Sequence, residues 1–128
     1  MFDWRRPGNL GVTNGRLARC RRSPNCVSSQ ADPTDQEHYI APIAFAGSMQ
    51  SLRAAIAELP LATIVTAEGD YLYAEFRTPI LRFVDDVEFL KVGELLHVRS
   101  ASRLGRRDFK ANRNRVEQLR ALIRSLPP

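Results

Sequence analysis

Three runs in one stretch decide the architecture: F-V-D-D-V-E-F at 83–89, V-R-S-A-S-R at 98–103 and D-F-K-A-N-R-N-R at 108–115. Side chains alternate across a strand and recur every 3.6 residues on a helix. The first two runs therefore read as strands Phe83–Val92 and Leu95–Ala101, turning at Gly93. The third opens a helix from about Phe109 to Ser125, with Asp108 as its cap. One strand face carries Phe83, Asp85, Val87 and Phe89, continued by Leu96, Val98 and Ser100. That face is apolar except for Asp85 and Ser100. The helix places Phe109, Val116, Leu119, Leu122, Ile123 and Leu126 on one broad stripe, and Asn112 and Arg115 fall inside it.

A buried guanidinium without a partner costs several kcal/mol, so Arg115 needs a carboxylate or solvent. Asp85 is the natural partner on the facing sheet, and Ser100 suits Asn112. Two readings follow. One is a hydrogen-bonded clamp fixing helix to sheet. The other is an anion site built from Arg103, Arg115 and Asn112 in a helix–sheet cleft, since the guanidinium fork grips carboxylates and phosphates in pairs of bonds.

The opposite sheet face gathers Glu75, Arg77, Asp86, Glu88, His97 and Arg99. Opposite charges on neighbouring strands read first as a solvated ion ladder, and otherwise as a binding face for a charged partner. The outer helix stripe of Arg106, Lys110, Arg113, Arg120 and Arg124 reads as a solvated face tempered by Glu117, or as a dock for acidic proteins or anionic lipid.

Working back along the chain, Tyr71–Thr78 alternates Leu72, Ala74 and Phe76 against Tyr71, Tyr73, Glu75 and Arg77, and Pro79 ends it. Glu68-Gly69-Asp70 turns it back onto Ala62–Thr66. Ser48 caps a helix whose Met49, Leu52, Ile56 and Leu59 form a stripe, stopped by Pro60. Tyr39–Phe45 is a first strand, edge-like because of Pro42. Residues 1–36 hold no period and read as an irregular arm, leaving 37–128 as an α+β domain. The predicted fold is one antiparallel sheet of about five strands with two helices, in the order β-α-β-β-β-β-α. This topology is similar to that of TATA-binding-protein-like and helix-grip folds, an analogy that carries no function.

At 128 residues the chain is one domain, large enough to bury a core without staples. No apolar run approaches the ~20 residues that span a bilayer. Met1 to Gly15 has no apolar targeting core, so a cytoplasmic location is the expectation. The net charge of +5 is unevenly spread. Residues 1–30 hold six Arg and one Asp, 31–102 hold five basic and eleven acidic residues, and 103–128 hold eight basic and two acidic residues. Part of that asymmetry is expected to pair within the fold. A nucleic-acid partner lacks any helix-turn-helix, zinc-finger or aromatic signature.

Cys20 and Cys26 flank a Ser23-Pro24-Asn25 turn. They close a disulfide loop in an oxidising compartment and stay thiols in a reducing one. Zinc needs two further ligands, with only His38 and His97 on offer, so no metal or cofactor is expected. Nearby arginines would activate Cys26 as a nucleophile, but no base or oxyanion hole is identifiable.

S-P-N-C-V-S-S at 23–29, F-V-D-D-V-E-F at 83–89, V-R-S-A-S-R at 98–103 and N-R-N-R at 112–115 together resemble the signatures of the domain of unknown function 1499 family. The resemblance runs from about Leu10 to the C-terminus. It implies a small, mainly bacterial single-domain protein without an assigned activity, with relatives exported or membrane-anchored at the N-terminus. An envelope location is therefore the alternative. The positions it marks are Asn25, Cys26, Asp85, Asp86, Glu88, Arg99, Ser100, Ser102, Arg103, Asn112 and Arg113.

Three functions stand in order. The first is a non-enzymatic module binding a small anionic or amphipathic ligand between sheet and last helix, through Arg103, Arg115, Asn112, Ser100 and Asp85. The second is a protein-interaction or assembly factor using the charged outer face or the basic helix. The third is a hydrolase centred on Cys26 with His38.

Overall fold

A computed structural model describes residues 5–105 and 110–128. Its elements are β1 (Val12–Thr13), β2 (Arg16–Leu17), β3 (Cys26–Ser28), β4 (Ile43–Ala44), α1 (Met49–Ala57), β5 (Ala62–Glu68), β6 (Tyr71–Arg77), β7 (Val84–Val92), β8 (Leu95–Ser102) and α2 (Ala111–Arg124). From β4 onward the order is the expected β-α-β-β-β-β-α. The expected cap at Asp108, and Phe109 and Arg106 with it, lie outside the described residues.

The single five-stranded sheet is corrected in one respect: there are two sheets, of two and six strands. The larger runs β3-β8-β7-β6-β5, with β4 also on β8. The added strands come from the stretch read as an irregular arm. Cys26–Ser28 pairs antiparallel with Arg99–Ala101, and β4 takes the other end of the same β8 edge through Ile43 and Leu96. The small sheet is the β1–β2 hairpin, turned by Asn14 and Gly15, both at positive φ. An Asn-Gly pair is the chemistry such a two-residue turn demands.

The central strands form a meander in register, with Glu75 opposite Asp86 and Glu88 opposite Arg99. Gly69 and Gly93 supply left-handed turn conformations at the two hairpin tips. Both helices cover one face. The core there joins Leu72, Ala74, Phe76, Val87, Phe89, Leu96 and Val98 to Leu52 and Ile56 of α1, and to Val116, Leu119 and Ile123 of α2. Ser48 caps α1, its side chain accepting from the Ser51 amide, as its sequence predicts.

Candidate functional site

The helix-facing polar residues close on one another. Arg115 Nη1 lies 2.6 Å from Asp85 Oδ2 and donates to Asn112 Oδ1 at 3.2 Å. Its guanidinium carbon sits 5.5 Å from the Phe76 ring centroid. Ser100 Oγ donates to Asn112 Oδ1 at 2.6 Å. The Asn112 amide donates to Ser102 Oγ at 2.8 Å and to the Asn25 carbonyl at 3.1 Å. Asn112 thereby ties α2 to both β8 and the start of β3. Asn25 is itself fastened, donating to the Gly105 carbonyl at 2.6 Å and accepting from Ser23 Oγ at 2.8 Å.

Arg103 does not join this group. Alternation along β8 sends Ser100 and Ser102 toward α2, while Arg99 and Arg103 face the other way. On that opposite face stands the largest departure from the sequence reading. Four of the six residues of the expected solvated ladder are buried, and Arg77 and His97 are half-exposed. Glu75, Asp86, Glu88 and Arg99 are each no more than 5% exposed. The arm is the reason, because residues 6–17 lie across this face. Arg6 Nε donates to Glu75 Oε2 at 2.9 Å, the Gly11 amide donates to Glu88 Oε2 at 2.8 Å, and Leu17 is buried. The arm therefore covers much of this face.

Under this roof the charges are knitted together. Arg103 donates through Nε to Asp86 Oδ2 at 2.9 Å, and through Nη2 to Asp86 Oδ1 at 2.8 Å and Glu75 Oε2 at 2.5 Å. The Tyr73 hydroxyl donates to Asp86 Oδ1 in a short bond. The Tyr71 hydroxyl donates to Glu88 Oε2 at 2.6 Å. Burial, then the neighbouring carboxylates, push both phenols above their ordinary range, so they remain donors at neutral pH. Burial pushes the Glu75 carboxyl up, but hydrogen bonds from Arg6 and Arg103 outweigh it and hold it below the ordinary range. The hydrogen bonds to Asp86 raise Arg103 further still.

Arg99 is the exception. Among the described residues its side chain makes one hydrogen bond, from Nη1 to Glu88 Oε1, at 3.4 Å. Among the described residues its Nε is the buried side-chain nitrogen left without a partner. Burial lowers its pKa, and the Arg21 charge adds to that, against the pull of Glu88 and Asp86. Arg99 lines a polar cleft of about 190 Å³ between the arm and the sheet, with Arg21, Arg103, Asp86, Asn25 and Asn9 on its walls.

Cys26 borders the same cleft, bonded to Cys20 as a disulfide. No thiolate stands there in this form. His38 is engaged elsewhere, Nδ1 at 2.8 Å from Asp35 and Nε2 at 2.9 Å from the Ser23 carbonyl. His97 Nδ1 meets Ser29 Oγ at 2.9 Å, and burial with the Arg16 charge holds its pKa down. The outer stripe of α2 works as a fastener: Arg113 donates to the carbonyls of Gln36 and Glu37, and Arg120 to those of Ala41 and Pro42.

The sequence reading thus named Arg99, Arg103, Asp86, Asn25 and Cys26 as positions of interest, and the structure gathers them around one cleft. It placed Tyr71 and Tyr73 on the outer face without their bonds to Glu88 and Asp86, and it missed Arg21 and Arg6. The charge asymmetry between residues 1–30 and 31–102 was the available signal for the arm's part.

Among the described residues no helix is long and apolar enough to cross a membrane, and no group of His, Cys, Asp and Glu is arranged to hold a metal ion. No curated protein and no solved structure matches the chain. A family model described as "Protein of unknown function (DUF1499)" matches residues 16–123, most of the chain, including β3 and its disulfide, the Arg99–Arg103 strand and the Asn112 helix. The chain belongs to the DUF1499 family.

Proposed function

We propose that the protein is a non-enzymatic binding module for a small anionic ligand, held in the cleft between the N-terminal arm and the sheet. Arg99 and Arg21 are the receiving groups, and Arg103 sets the floor. The observation that carries this reading is the buried Arg99 Nε with no hydrogen-bond partner. Buried donors are normally satisfied, and Arg99, which lines the cleft, carries one that is not. A carboxylate or phosphate oxygen is the acceptor that a guanidinium binds best.

Charge supports the same reading. Arg6, Arg77, Arg99 and Arg103 engage the three carboxylates Glu75, Asp86 and Glu88, and Arg21 adds a further cation at the rim. The face therefore holds more positive than negative charge. Asp86 borders the cleft, but both of its oxygens accept from Arg103, which offsets its repulsion of an incoming anion. The helix-side location for the ligand has less support, since Asp85, Arg115, Asn112 and Ser100 are occupied with one another.

Native mass spectrometry on protein purified from its own host, before and after mild denaturation, tests the proposal. A discrete extra mass that is lost on unfolding, and that is reduced in Arg21→Ala and Arg99→Lys, is expected. A bare chain mass under both conditions counts against a resident anion. An adduct indifferent to both substitutions removes the cleft as its site.

A further inference from the structure

The β6–β7 connection displays apolar side chains that the anion cleft does not use. Ile80 is 91% exposed and Leu81 66%, the two most exposed large apolar residues among those described. Lone surface apolar side chains are ordinary, but Ile80 and Leu81 stand together at a hairpin tip and form a projection. The tip is built, since three hydrogen bonds close it: Thr78 amide to Phe83 carbonyl at 2.9 Å, Arg82 amide to Thr78 carbonyl at 3.1 Å, and Phe83 amide to Thr78 Oγ1 at 2.9 Å. Arg82 adopts a left-handed conformation at its end, φ 57°. Thr78 and Pro79, at the base of the tip, join Leu59, Leu61, Phe76, Leu119 and Leu122 in lining an apolar groove of about 330 Å³, with Arg77 and Arg115 on its walls.

Apolar side chains at a tip, flanked by Arg77 and Arg82, have the charge and polarity profile of an interfacial anchor. The apolar tip enters the headgroup boundary while the flanking cations meet anionic lipid. We infer that this end of the molecule docks on an anionic lipid surface, with Ile80 and Leu81 entering the interface and Arg82 contacting the headgroups. The tip stands where β6 turns into β7, and Ile80, Leu81 and Arg82 do not line the anion cleft.

Co-sedimentation of the full chain with vesicles tests it, comparing equal parts phosphatidylglycerol and phosphatidylcholine with phosphatidylcholine alone. The protein is expected to pellet with the anionic vesicles and to remain in solution with the zwitterionic ones. Ile80→Asp/Leu81→Asp should weaken that binding by about tenfold or more, and Arg82→Glu should weaken it and reduce its salt sensitivity. These side chains are exposed, so the variants should melt where the parent does. Absence of binding to the anionic vesicles overturns the inference, and so does equal binding by the Ile80→Asp/Leu81→Asp variant.

Discussion

Arg99 reaches the Glu88 carboxylate at 3.4 Å, although the same carboxylate is already held by Tyr71 at 2.6 Å and the Gly11 amide at 2.8 Å. Glu88 is thus satisfied largely without Arg99, while the Arg99 side chain has this one long contact and an Nε without a partner among the described residues. In the proposed function, this imbalance separates a guanidinium that receives the ligand from one that holds the fold. Arg103, four residues on, is the second kind. It bridges Glu75 and Asp86, and removing it strands the buried Asp86 carboxylate while Glu75 keeps Arg6.

Arg99→Met and Arg103→Met should therefore behave differently in denaturant unfolding. Losing one partner of a buried ion pair costs about 3 kcal/mol or more, and Arg103→Met should show that loss. Arg99→Met should cost less than Arg103→Met, because the buried Glu88 carboxylate it leaves behind keeps the Tyr71 hydroxyl and the Gly11 amide. A large loss in Arg99→Met would make that residue structural.

The helix clamp gives a second prediction. Asp85→Ala and Arg115→Ala each leave a largely buried charge behind, and each should destabilise by about 3 kcal/mol. The double variant should lose much less than the sum, with a coupling of about 1–3 kcal/mol in a double-mutant cycle. Additive losses would mean that the 2.6 Å contact is not an energetic pair.

The disulfide fixes the segment bearing Arg21 to the start of β3. Its ends are separated by six positions, and closing so short a loop contributes about 2 kcal/mol in the chain-entropy view. Reduction should lower the melting temperature of the parent but leave Cys20→Ser/Cys26→Ser unchanged. It should also weaken anion binding in the parent, since Arg21 lies inside the loop. Equal effects of reductant on parent and variant would contradict this assignment.

Two groups set opposite pH dependences. The Glu75 pKa is lowered in the fold, so its stabilisation is present above the ordinary carboxylate pKa and fades as pH falls through the folded value. Burial pushes the His38 pKa down, but Asp35 and the Ser23 carbonyl outweigh it, and the net shift is upward. Its contribution is therefore full below the unfolded pKa of about 6.5 and is lost as pH rises through the folded one. His38→Gln should flatten the decline in stability on the alkaline side of neutrality, and Glu75→Gln the decline in acid. Unchanged pH profiles in both would argue against these linkages.

The α2-facing half of the molecule was legible in the chain. Period two in 83–102 and period 3.6 in 109–126 placed Asp85, Ser100, Asn112 and Arg115 on facing surfaces, because buried faces impose a pattern. The roofed face was not. Glu75, Asp86, Glu88 and Arg99 alternate as solvated charges do, and their burial depends on residues 6–17, which carry no apolar period. The one local mark in that arm was Asn14-Gly15, a hairpin turn signal flanked by strands of two residues each. Strand β3 was hidden for a similar reason. Cys26–Ser28 is too short to show alternation, and the β8 edge, not its own propensity, makes it a strand.

The measurement that bears most directly on the anion site is the Nε–Hε resonance of Arg99 in a nitrogen–proton correlation spectrum, followed through titrations with inorganic phosphate and with acetate. A buried, unbonded Nε–H that gains an oxyanion partner should shift saturably with at least one of the two, and the shift should weaken in Arg21→Ala. A resonance that stays fixed throughout both titrations would contradict the assignment of this cleft to a small anion.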